Sequence, residues 1–219
     1  MRTIRVTGKG NIKVRPDTTR LMITIEGHYK DYSDTLKHSS EDTESLRELL
    51  TGFGFDKREL KTTNFDVNAE YESYQEKGVY KNRFVGYRFV HAMKLEFPSD
   101  NDRLGRILYA LAHSKVNPEF RISYTVKDQE ATKNELLGKA VADASAKAEV
   151  ISAAAGVKLC SIQSIDYSWG EINLEVSSTR GLAREKFDAN VLYDASYDVD
   201  IEPDDISVSD TVTVVWEIE

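Results

Sequence analysis

The most constraining feature is a pair of long extended runs around one tight turn. Residues 59–73 alternate, with Phe65, Val67, Ala69 and Tyr71 at every second position. Residues 79–97 are rich in β-branched and aromatic side chains. Between them, Glu76-Lys77-Gly78 carries a hairpin turn signal. Such runs predict a long β-hairpin, and a hairpin can only belong to an antiparallel sheet. A doubly wound parallel fold is therefore disfavoured.

The flanking segments extend the pattern. Ile4, Val6, Ile12 and Val14 predict strand structure near the start, with Gly8-Lys9-Gly10 expected to kink or turn it. Leu21, Ile23 and Ile25 predict a period-two strand after Arg15-Pro16-Asp17. A helix is expected over 33–53, capped by Asp31 or Ser33, with Leu36, Thr43, Leu46, Leu49, Leu50 and Phe53 at helical spacing. Pro98 ends the return strand of the hairpin. A short helix follows over 101–114, then a strand over 119–126.

The longest helix is expected over 129–155, capped by Asp128 and stopped by Gly156. Its apolar seam is expected along Leu137, Val141, Ala144, Ala148, Ile151 and Ala155. Strands follow over 157–169 and from Ile206 to the end, the last with a bulge near Ser209-Asp210. Residues 170–200 show no sustained period and are expected to form a long, partly ordered excursion. The order is β-β-α-β-β-α-β-α-β-β. It predicts an α+β class: antiparallel sheets with helices packed on one face, in a single domain over residues 1–219.

Charge narrows the partners. The net charge is −8, so the chain lacks the bulk basic surface that nucleic-acid phosphates require. No apolar run approaches the length of a membrane span, and no membrane insertion is expected. The opening residues lack an apolar leader core, which gives an expectation of a cytoplasmic location. A trimmed mature form would instead fit a periplasmic or cell-surface one.

Candidate chemical sites each meet a plainer reading. Gly8-Lys9-Gly10 lacks the Gly-Lys-Ser/Thr ending and the following helix of a phosphate loop. His28, His38, His91 and His113 show no short ligand spacing, so no metal and no other cofactor is expected. Cys160, the single cysteine, reads as a small buried apolar residue. Asp194, Asp198, Asp200, Glu202, Asp204 and Asp205 lack calcium-loop spacing and read as a solvated acidic linker. No catalytic residue is assigned, and the expectation is a protein without enzymatic activity. Tyr71, Tyr74, Tyr80 and Tyr87 stand apart. On a hairpin this long they predict an interaction surface for a homo-oligomer or another protein. The alternative is a groove for a small molecule or a peptide over residues 59–97.

A set of short motifs occurs in order along the chain. They are VTGKGNIKVRPD at 6–17, Leu60-Lys61-Thr62 with Phe65 and Tyr71, Gly86-Tyr87, and Leu104-Gly105-Arg106-Ile107-Leu108. Ala140-Val141-Ala142-Asp143-Ala144, Lys147-Ala148-Glu149 and Ala154-Ala155-Gly156-Val157 complete it. Over residues 3–168 and 206–218 the chain resembles the SIMPL-domain family. The resemblance implies an α+β fold that can assemble into large rings, and no catalytic residues to carry over. Its members include periplasmic and outer-membrane-associated immunogenic proteins, stress-linked bacterial proteins and a kinase-associating animal protein. The resemblance therefore points to a self-assembling or protein-interaction role.

Overall fold

The computed structural model describes residues 2–167, 172–177 and 201–219. The elements run β1 (Arg2–Val14), β2 (Thr18–Tyr29), α1 (Tyr32–Thr51), β3 (Lys61–Glu76), β4 (Val79–Pro98), α2 (Asn101–Ala112) and β5 (Glu119–Thr125). They continue with α3 (Gln129–Ala155), β6 (Leu159–Asp166), β7 (Glu175–Ser177) and β8 (Ile206–Ile218). The class is α+β with antiparallel pairing, as expected, with one short strand, β7, added to the expected order. Most of the 170–200 excursion lies outside the described residues.

The chain divides into two compact units. The first comprises residues 1–17, 125–176 and 203–219. Its sheet has the order β1-β8-β6, and α3 packs on it. Strand β1 is continuous across Gly8 and Gly10, which corrects the expected kink. Both glycines face α3. A Cβ on Gly8 would lie 2.1 Å from the Ala140 carbonyl oxygen, and one on Gly10 would lie 2.2 Å from that of Leu136. The glycines therefore let helix backbone and strand backbone approach each other.

The helix answers with small residues. Its buried stripe is Leu136, Ala140, Ala144, Ala148 and Ser152. Ala144 and Ala148 of the expected seam lie in this stripe, whereas Leu137, Val141, Ile151 and Ala155 lie one step round from it. Leu137 and Val141 are only partly buried, and Ile151 is exposed. Close approach selects the smallest side chains for the contact line and displaces larger ones to its flanks. Val6, Val212, Val214 and Trp216 fill the rest of this core.

Strand β8 pairs with β1 without interruption from Arg2 opposite Ile218 to Val14 opposite Ile206. The bulge expected near Ser209-Asp210 is absent. Asp210 keeps the parity of the core-facing residues, and its carboxylate accepts the Tyr167 hydroxyl at 2.8 Å. Asp128 caps α3 by accepting the Ala131 N–H at 2.8 Å, and Gly156 ends it in the left-handed conformation at φ 67°. Cys160 is half-buried, not buried, in the edge strand β6.

The second unit covers residues 18–124 and 177–202. Strands β3, β4, β2 and β5 lie in that order, so β3 is an edge strand. Helix α1 packs on β2 and β4. Leu21, Ile23, Ile25, Phe89, Met93 and Leu95 are buried from the sheet, with Leu46 and Leu50 from α1 and Leu104, Ile107 and Leu108 from α2. Helix α1 also buries Thr35, Ser39 and Thr43, whereas Leu36 is exposed. The threonine hydroxyls donate to carbonyls one turn back, Thr35 to Asp31 at 2.8 Å and Thr43 to Ser39 at 2.7 Å. Hydroxyls satisfied inside the helix can be buried at little cost.

A candidate interaction surface on the long hairpin

Strand β4 is 20 residues long, but β2 covers it only from Tyr87 to Pro98. The rest of the hairpin continues as a two-stranded ribbon. Its turn is two residues, Lys77 and Gly78, both at positive φ (52° and 82°), the geometry that suits the natural twist of paired strands.

The ribbon leaves the sheet at a bulge. Glu70 pairs with Gly86 and Tyr71 with Phe84, so Val85 is the extra residue. Gly86 adopts φ 151°, and a Cβ there would lie 2.4 Å from the Tyr29 carbonyl oxygen. The bulge also resets parity. Phe84 and Tyr87, three residues apart, would face opposite sides of a regular strand. With the extra residue their rings meet edge to face at 5.2 Å.

A chain of four rings results. Tyr71 meets Phe84 at 5.7 Å, Phe84 meets Tyr87, and Tyr87 meets Tyr32 of α1 at 5.3 Å, all edge to face. Tyr71 is 62% exposed, Tyr32 51% and Phe84 44%. By register Tyr80 shares this side nearer the tip, at 77% exposure, as does the Ser73–Asn82 hydrogen bond of 2.7 Å. The opposite side is ionic: Arg83 pairs with Glu72 and Lys81 with Glu76, each at 2.6 Å. Tyr74 lies on that side, beneath the Arg83 guanidinium at 5.9 Å. Each of these pairs is exposed and contributes about 1 kcal/mol or less. They leave one side polar and the other aromatic.

The four tyrosines singled out in the sequence are therefore divided. Tyr71 and Tyr87 join one aromatic chain, Tyr80 extends its side, and Tyr74 does not belong to it. Phe84 and Tyr32 were missed. Phe84 is brought over by a bulge, and Tyr32 comes from a different element.

The root of the hairpin is polar and closely bonded. His91 is buried, with Nδ1 3.0 Å from Thr43 Oγ1 and Nε2 2.8 Å from Thr62 Oγ1. Burial first, and then the Arg47 guanidinium, push its pKa below the usual imidazole value of 6.5. Arg20 Nε donates to Glu96 at 2.7 Å. Burial raises the Glu96 pKa, but Arg20 and then Lys94 outweigh it and hold the carboxyl below its usual range. Glu59, Lys61, Lys94 and Glu96 line a shallow cavity of about 130 Å³ there. Nearer the ribbon, Tyr29 stacks on His38 at 4.3 Å, His28 lies 3.5 Å from Glu70, and Arg88 pairs with Glu26.

The remaining sequence candidates make other contacts. Lys9 N–H donates to Asp143 at 2.7 Å, so this stretch of β1 packs against α3. His113 stacks on Tyr109 at 4.1 Å. Asp205 pairs with Lys13 at 3.3 Å, and Asp194, Asp198 and Asp200 lie outside the described residues. Among the described residues, no three His, Cys, Asp or Glu side chains converge as metal ligands would, and no helix is long and apolar enough to cross a membrane.

A search of the curated proteins returns no match. The family model for SIMPL, described as a protein of unknown function (DUF541), matches residues 4–216. That span includes the glycine-bearing β1, the hairpin with its Gly86-Tyr87 bulge, the alanine stripe of α3 and nearly all of β8. The chain belongs to the SIMPL family.

Proposed function

We propose that this protein is a non-enzymatic, self-assembling structural or interaction protein whose contact surface is the aromatic side of the hairpin ribbon. One observation carries the reading: the four-ring chain Tyr71–Phe84–Tyr87–Tyr32, in which Tyr71 and Phe84 are exposed on the ribbon, Tyr32 is exposed at the start of α1, and the half-buried Tyr87 links them. Aromatic rings contribute little to stability while exposed and much when a partner covers them, which is why they are enriched in interface cores. Among the described residues β3 lies at the edge of its sheet, which offers backbone donors and acceptors along the same element. The best-formed polar contacts at the hairpin root join one structural element to another, which favours a structural role for them.

Light scattering on the purified protein over a wide concentration range tests this. A concentration-dependent oligomer that Tyr71→Ser with Phe84→Ser reduces to monomer is the expected result. A strict monomer throughout overturns the self-assembly reading. A peptide-binding module is the second reading, favoured by the open β3 edge, which could accept an added strand. For that reading, a peptide ligand raises the melting temperature of the monomer.

A further inference from the structure

The hydrogen bonds around His91 have a direction that the heavy atoms fix. Thr43 Oγ1 donates its only proton to the Ser39 carbonyl at 2.7 Å. Towards His91 it can therefore only accept, so Nδ1 of the ring carries a proton. The neutral ring then presents Nε2 as an acceptor, and Thr62 Oγ1 donates to it. A one-way chain runs from Thr62 of β3 through His91 of β4 to Thr43 and Ser39 of α1. It ties the first turn of an exposed edge strand to a buried helix face.

We propose that His91 is an acid-released clasp between the root of the β3 edge strand and α1. The surroundings give protonation nowhere favourable to go. From α1 the charged group bearing on the ring is Arg47, whose Nε is buried without a hydrogen-bond partner and whose nearest paired acid, Glu44, lies 3.8 Å from its other end. From β2 the register partner is Ile25, and from β3 the facing groups are Thr62 and the Phe65 ring, edge-on at 5.0 Å. No carboxylate is among them. An imidazolium here would sit in a poorly solvated slot beside a second cation. The least costly escape is separation of β3, whose one strand partner among the described residues is β4. The loosening is expected at the root, where Thr62 and Phe65 of β3 face the ring.

The sign follows from linkage. A histidine held below its unfolded value of 6.5 stabilises the native state fully above that pH. The contribution is lost as pH falls from there towards the folded-state value.

Hydrogen exchange read as protection factors tests the clasp in the full chain. Between about pH 7.5 and about pH 5.5, those amides at the β3 root, around Thr62 to Phe65, that bond to β4 should lose about tenfold protection, while β2 amides keep theirs. His91→Gln, which cannot acquire charge, should remove this pH dependence. Unchanged β3 protection in the wild type, or an unaltered pH response in H91Q, overturns the proposal. Ring nitrogen NMR of the wild type needs no variant. It should report the Nδ1–H tautomer at neutral pH, and an Nε2–H tautomer overturns the proposal even if H91Q fails to fold.

Discussion

Two regions of this protein, the β1–α3 contact and the hairpin ribbon, use side-chain size in opposite ways. In the first unit, β1 and α3 meet through glycine and alanine, backbone against backbone, with no room for one further methyl group. In the second, the hairpin carries its largest side chains outward, and Tyr71, Tyr80 and Phe84 are all exposed. Small residues mark the contact that is complete within the chain. Large aromatic residues mark the surface left exposed on the hairpin, which the proposed assembly would cover. Side-chain size alone is thus a poor guide to burial here, because the closest packing needs the smallest groups.

Three variants sharpen this contrast. Gly8→Ala should have the largest effect, a loss of about 3 kcal/mol, because the new methyl meets the backbone of Ala140 and Ala144 and not a movable side chain. Denaturant unfolding of the first unit measures it. Retention of wild-type stability would mean that helix and strand are less closely packed than described. Gly138→Ala, the same substitution within α3, should act in the other direction. Nothing lies within 4 Å of its Cβ position, so helix propensity decides and stability rises by about 1 kcal/mol. The smallest effect is expected at the ribbon. Tyr71→Ser with Phe84→Ser should change the stability of the monomer by about 0.5 kcal/mol or less, while association is lost. A larger loss of monomer stability would move those rings from a partner surface to a structural one.

The hairpin shows how much of the site was legible. Its existence, length and turn follow from alternation and from Lys77-Gly78. The identity of its aromatic side does not. Parity counted along β4 places Phe84 and Tyr87 on opposite sides, and only the extra residue at Val85 brings them together. No local signal other than Gly86 hints at that bulge. Tyr32 could not be assigned at all, since it reaches the chain of rings from the start of α1. Nothing in the sequence sets His91 apart from the other three histidines. Its two threonine partners lie 48 and 29 residues away in sequence, a separation that periodicity cannot bridge.

The sequence by itself determined the elements: where strands alternate, where Asp128 and Gly156 bound a helix, and where a hairpin turns. These depend on backbone preferences within a few residues. Tertiary structure decided which face of each element was used. In α3 the buried line fell on Ala140, Ala144 and Ala148 and not on the larger residues beside them, because Gly8 and Gly10 bring the backbones together. That choice depends on the shape of the opposing surface, which no local pattern contains.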